Sequence, residues 1–166
     1  MGEPSVTVEV LAEGGLEEVR PLLLDLMVED QDFYRDGGRH AGETPLRRQE
    51  IDGGLLGPLR ARFTGENVIL AIRAEGRVVA LCWCVIFDPG TGLEGEVAEV
   101  YVVPDQRGRG LATSLLRRAV ELFRERQVTF ASVWTHSRNP AAVRLYERAG
   151  FSPTEQLVLT WLPGGD

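Results

Sequence analysis

Residues 97–103 read Val97-Ala98-Glu99-Val100-Tyr101-Val102-Val103, and residues 104–110 read Pro104-Asp105-Gln106-Arg107-Gly108-Arg109-Gly110. The first stretch is rich in β-branched residues and stops at a proline, which has no N–H for a strand ladder. It reads as a strand. After Gly110, Leu111, Ala112, Leu115, Leu116, Ala119, Val120 and Phe123 recur at helical spacing. Arg117, Arg118, Glu121, Arg124 and Glu125 fill the opposite face. A strand, a glycine turn and an amphipathic helix therefore follow one another. The start of such a helix carries unpaired N–H groups and a partial positive charge. Gly108 and Gly110 allow a close backbone approach, and Arg107 and Arg109 add charge. The combination suits a phosphate or pyrophosphate. The helix dipole contributes about 0.3–2 kcal/mol, so several N–H bonds must supply the rest. Read alone, the same turn is equally a tight connection with arginines in water.

Upstream, Val68–Ala74 and Val78–Phe87 read as two strands joined at Glu75-Gly76, a hairpin signal. Val6–Leu11 alternates with period two and reads as a first strand, ended by Gly14-Gly15. Leu16, Val19, Leu22, Leu23, Leu26 and Met27 have helical spacing, with Pro21 early in the helix. Residues 28–45 are acidic and glycine-containing and read as part helix, part loop. A second helix over Leu46–Arg62 is interrupted by Gly53-Gly54 and Gly57-Pro58. Downstream, Phe130–Thr135 reads as a buried strand and Pro140–Ala149 as a short helix closed by Gly150. Leu157–Leu162 is a last strand. The order β-α-α-β-β-β-α-β-α-β predicts one domain over residues 1–166, of mixed α/β (α+β) class.

The chain has 166 residues, enough for one core. Its net charge is −7, from 18 basic and 25 acidic residues, which disfavours general nucleic-acid or anionic-membrane binding. A cationic small molecule or peptide fits that charge better. No apolar run approaches the roughly 18 residues of a membrane span. The start, Met1-Gly2-Glu3-Pro4-Ser5-Val6, has neither a signal peptide's pattern nor a myristoylation signal. All 18 basic residues are Arg, which removes Schiff-base, P-loop and kinase mechanisms that need Lys. Cys82 and Cys84 and the two histidines, His40 and His136, have no metal-site spacing. A reducing cytoplasm without disulfides is expected, with the cysteines in the core. Trp83, Trp134 and Trp161 also read as core residues in strands.

Neither Gly-Lys-Ser/Thr nor a full Gly-x-Gly-x-x-Gly with a following ribose-binding acid is present, so NTPase and dinucleotide sites drop out. The stretch Val102–Ala112 instead resembles the acyl-CoA signature of the GCN5-related N-acetyltransferases (GNAT), Gln/Arg-x-x-Gly-x-Gly/Ala. Arg107, Gly110 and Ala112 carry the match. Asn139-Pro140-Ala141-Ala142-Val143-Arg144-Leu145-Tyr146-Glu147-Arg148-Ala149-Gly150-Phe151 is similar to that family's Asn-x-x-Ala-x-x-x-Tyr-Glu-x-x-Gly-Phe. The element order agrees over nearly the whole chain. Residues 28–62 match nothing recognisable in the family's variable substrate region.

The resemblance implies a mixed, largely antiparallel, twisted sheet flanked by about four helices, and acetyl-CoA as co-substrate. It implies a pyrophosphate on the 107–113 turn, engaging Arg107, Gly108, Arg109, Gly110, Ala112 and Thr113. Pantetheine would pair along Val100, Val102 and Val103, beside a strand that commonly carries a bulge there. The reaction has its own needs. An amine with a pKa of about 10.4 costs about 4.6 kcal/mol to deprotonate at pH 7. A base is therefore useful, an N–H donor must meet the charge growing on the acyl oxygen, and the leaving thiolate needs an acid. Tyr146 stands at the family's Tyr position and is the expected acid and a cofactor contact; read alone it is a packing residue. Asn139 reads as a helix N-cap that also contacts the cofactor. Glu99 is the leading base, although a solvent-facing edge charge is its plain alternative. Glu29, Asp30 and Asp32 are runners-up, then His40 or His136. Val100 is the expected oxyanion donor through its backbone. The expected activity is direct acetyl transfer to a primary amine, a small molecule or a peptide N-terminus. A non-catalytic acyl-CoA-binding or sensory domain is the alternative. Dimers are common in such families, and the sequence leaves a homodimer open.

Overall fold

The computed structural model describes residues 6–12, 15–35, 45, 47–54 and 65–155. Its elements are β1 (Glu9–Val10), α1 (Gly15–Arg35), α2 (Arg48–Gly54), β2 (Gly65–Ala74), β3 (Arg77–Phe87), β4 (Glu94–Val102), α3 (Leu111–Glu125), β5 (Phe130–Val133) and α4 (Pro140–Arg148). A 3-10 turn over Pro104–Gln106 links β4 to the glycines. The five strands lie in sequence order. The first three pairings are antiparallel, and β4·β5 is parallel with α3 as its crossover. The β2–β3 hairpin turns at Glu75 and Gly76 with φ of 50° and 77°, the paired positive values of a two-residue turn whose twist matches its strands.

The sheet is packed on both faces. On one, Leu70, Ala80, Cys82, Cys84 and Val97 meet Leu115, Leu116, Ala119 and Phe123 of α3. Of the expected α3 face, Leu111, Leu115, Leu116, Ala119 and Phe123 are buried, Ala112 and Val120 are half-buried, and Leu122 joins the core. On the other, Ile69, Leu81 and Tyr101 meet Val19, Leu22, Leu23 and Leu26 of α1 and Ile51 of α2. Cys82 and Cys84 are buried free thiols, as expected. Gly95 lies where β4 passes against Phe123 of α3. A Cβ there would stand 2.9 Å from Phe123 Cε1, and Phe123 is itself buried. Gly95→Ala should therefore destabilise the domain by about 1–3 kcal/mol, measured by urea unfolding.

Several expectations change. Helix α1 runs on to Arg35, so residues 28–35 are helical. Its last turns carry Glu29 and Asp30 into the cleft described below. Pro21 sits inside the helix, in its second turn. The described part of the second helix is seven residues long. The first strand is two residues long, extended by a Leu11 N–H bond to the Ile69 carbonyl. β5 ends at Val133, where its pairing with β4 stops, and Phe130 is half-exposed. Trp134 lies beyond that strand at 58% exposure and is not a core residue. The expected strand Leu157–Leu162, Trp161, His40 and the region 55–62 lie outside the described residues.

Candidate active site

The site begins with a defect in β4. Trp83 faces Glu99 and Cys84 faces Val97, so Ala98 has no partner on β3. This is a β-bulge, and it inverts the strand's sidedness. Val97 packs towards α3, while Tyr101, four residues later, packs towards α1. A regular strand would put both on one face. The pairing of β4 with β5 also stops at Val97–Val133. Beyond the bulge, β4 has β3 on one side and no described strand on the other. Val103 donates its N–H to the Val79 carbonyl at 3.0 Å. Alternation along the antiparallel ladder then turns the N–H groups of Val100 and Val102 away from β3, towards the open edge.

That edge forms the floor of a cleft of about 990 Å³. One end is the glycine turn. Gly108 and Gly110 have φ of 75° and 79°, and Gly110, the N-cap of α3, offers no side-chain acceptor to the helix. The first helical bond with an N-cap acceptor runs from Ser114 N–H to the Gly110 carbonyl. The N–H groups of Leu111, Ala112 and Thr113 are thus the helix's unpaired donors, and these three residues line the cleft. This arrangement fits an anionic diphosphate. The opposite wall is α4. Asn139 caps it by accepting from the Ala142 N–H at 3.1 Å, as expected. Tyr146, one edge-on ring contact from Phe151, reaches the cleft from the same helix.

The third wall is acidic. Glu99 is mostly buried; loss of water, then the negative charges of Asp30 and Glu96, push its carboxyl up to about 7. Asp30 is raised by burial and then by Glu29. Burial, followed by the charges of Cys82, Glu99 and Asp30, pushes the Tyr146 hydroxyl up to about 12. A carboxyl poised near neutrality and a phenol that keeps its proton thus share one cleft, the divided pattern of an acid and a base.

Of the residues expected at the site, Glu99, Val100, Val102, Arg107, Gly108, Gly110, Ala112, Thr113, Asn139 and Tyr146 line this cleft, whereas Val103 and Arg109 do not. Arg109 turns to a smaller cavity of about 420 Å³ that Val6, Glu9 and Arg73 also line. The Arg107 guanidinium is directed at Glu29, with Nη2 2.7 and 2.9 Å from the two carboxylate oxygens. Among the runners-up, Glu29, Asp30 and His136 line the cleft. Asp32 lies in α1, and its side chain is outside the described residues. Sequence reasoning missed Arg144, Arg148 and Trp134 as lining residues. The four-residue spacing of the two arginines, flanking Tyr146, was the available signal.

Comparison with known proteins agrees with this geometry. The family model described as "Acetyltransferase (GNAT) family" matches residues 25–151. A mycothiol acetyltransferase of Thermobifida fusca is 30% identical over 168 residues, covering 95% of this chain and 49% of that protein. An uncharacterised N-acetyltransferase of Methanocaldococcus jannaschii is 37% identical over 67 residues, 40% of this chain and 29% of its own. The chain spans about half or less of the length of these curated relatives. Among solved structures, an integron cassette protein of V. cholerae superposes with a TM-score of 0.68 at 15% identity, covering 96% of this chain and 93% of that one. An aminoglycoside acetyltransferase from an uncultured soil metagenomic sample, in complex with sisomicin, gives 0.63 at 12%, covering 95% of each chain. The bulged fourth strand, the glycine turn and the family match over 25–151 agree: the chain belongs to the GNAT acetyltransferase family.

Proposed function

We propose that the protein transfers an acetyl group from acetyl-CoA to a primary amine by direct attack within a ternary complex. The observation that carries this reading is Glu99: a mostly buried carboxyl beside the open edge of β4, pushed up to about 7, in the same cleft as a protonated tyrosine. Acetyl-CoA, when bound, supplies the activated acyl group. The amides of Leu111–Thr113 and the glycine turn hold its diphosphate. The outward N–H group of Val102 pairs with its amide arm, and that of Val100 meets the negative charge growing on the acyl oxygen. Glu99, as carboxylate, takes the ammonium proton directly or through one water. Tyr146 gives its proton to the departing sulfur. Its high pKa keeps that proton in place at every working pH.

The acceptor is a small amine that is cationic in water. Support comes from the acidic α1 wall and from relatives named for mycothiol and aminoglycosides. The direct test is thiol release from acetyl-CoA across a panel of sisomicin, polyamines, amino-acid amides and short peptides. Turnover on a member of the panel supports the enzyme. Stabilisation by CoA without turnover on any member favours a non-catalytic acyl-CoA-binding domain. Within the enzyme reading, Tyr146→Phe should lower kcat at least about tenfold while the KM for acetyl-CoA stays within about a factor of two. An unchanged kcat removes Tyr146 from the acid role.

A further inference from the structure

Arg107 stands in the coenzyme turn, yet its guanidinium is engaged elsewhere. Nη2 donates to both oxygens of Glu29 at 2.7 and 2.9 Å. Nε donates to the Val102 carbonyl at 2.8 Å. The Cζ atom lies 5.4 Å from the centre of the Tyr101 ring. The Tyr101 hydroxyl donates to the same Glu29 carboxylate at 2.9 Å. Glu29 is 78 residues away in sequence, on α1, immediately before Asp30. One carboxylate therefore ties together the acceptor-side helix, the slot-forming strand and the coenzyme turn.

The pair is half-exposed, at 46% and 41% for the two side chains. Exposed ion pairs contribute little to stability, so its worth lies in placement. Arg107 braces the carbonyl at the end of the open edge and joins it to Glu29 of α1. We infer that Glu29 and Arg107 form a bridge that couples the acceptor-side helix α1 to the coenzyme turn, and that both are positioning residues, the diphosphate being left to backbone amides. This inference rests on the coenzyme reading above. A rigid link between two walls makes binding at one wall felt at the other, a coupling between sites.

The test uses coenzyme A as probe with the full chain, Glu29→Gln and Arg107→Gln. Calorimetry reads affinity, and hydrogen exchange reads where binding is felt. In the unmodified protein, CoA should slow exchange both at Leu111–Ser114 and along residues 23–31 of α1. In each variant the α3 protection should persist, and the α1 protection should fall about fivefold or more. The two variants should show the same loss, and the double variant no further loss, because either change removes the same bridge. A neutral variant, Arg124→Gln on the far end of α3, should show the unmodified pattern. Equal α1 protection in all proteins overturns the bridge and leaves the coenzyme reading standing. A tenfold loss of CoA affinity in Arg107→Gln, absent in Glu29→Gln, overturns it too, by making Arg107 a phosphate ligand. If CoA protects neither element of the unmodified protein, the coenzyme reading fails and takes the bridge's role with it.

Discussion

Glu99→Gln should reduce kcat by about 10²–10⁴ while raising the stability of the fold at pH 8, a pairing that ordinary core damage does not produce. The carboxyl titrates at about 7 in the folded protein, against a usual value of 4.5. Burial is the first cause, and the charges of Asp30 and Glu96 follow. The base works only as carboxylate, so the rate should fall below about pH 7, and Gln should abolish that limb of the profile. The stability sign follows from the same shift. Between 4.5 and 7 the folded state holds a proton that the unfolded chain has released. Stability is therefore lost as pH rises through that window and stays lost above it. An upward displacement of this size corresponds to at most about 3 kcal/mol at pH 8. The neutral amide avoids the cost of an ionised buried group. Urea unfolding at pH 5 and pH 8 should show Gln gaining mainly at the higher pH. Retained turnover with an unaltered acid limb would pass the role of base to Asp30.

Gly110→Val should weaken CoA binding at least about tenfold, roughly 1.4 kcal/mol, with a smaller effect on any acceptor affinity. The glycine has φ of 79° and caps α3 without a side-chain bond. A Cβ built there meets no atom within 4 Å, so the fold has room for it. The damage comes from the backbone. A β-branched residue resists the left-handed region at a cost of about 1–3 kcal/mol, and relaxing it re-aims the amides of Leu111 and Ala112. Gly110→Asn separates the two effects, because Asn tolerates that region. It should keep stability close to the original and lose less affinity than Val. Calorimetry with CoA decides, and full affinity in Gly110→Val would move the anion site away from this turn.

The elements that were legible in the chain are those with local causes. The Glu75-Gly76 turn forces positive φ on two neighbours, so the hairpin around it needs no distant partner. The α3 stripe, the Asn139 cap and the stop at Pro104 belong to the same class. Where local cause was weak, the reading drifted. The acidic run after Met27 lacks an apolar stripe of its own and is helical because α1 packs Leu23 and Leu26 on the sheet and continues from there. The apolar letters after Phe130 suggest a buried strand, whereas Phe130 is half-exposed although β5 pairs with β4 along its whole length.

The candidate site divides along the same line. The glycine turn, Tyr146 and Glu99 could be named from the sequence, since two motifs and a strand position carry them. The facing of Glu99 could not. Side-chain direction in a strand has a period of two, and one unpaired residue reverses it for everything downstream. Nor could the direction of Arg107, whose partner lies 78 residues away. The amino-acid order alone determined the β2–β3 hairpin, α3 and α4, where the helix start meets the glycines and which residue types carry the chemistry, because these follow from spacing and backbone preference within a few residues. Only the assembled sheet decided that β4 and β5 part at the bulge, that Glu99 is held near neutrality beside Asp30, and that Glu29 reaches the turn. Those depend on which distant groups burial brings together, and no local pattern encodes that.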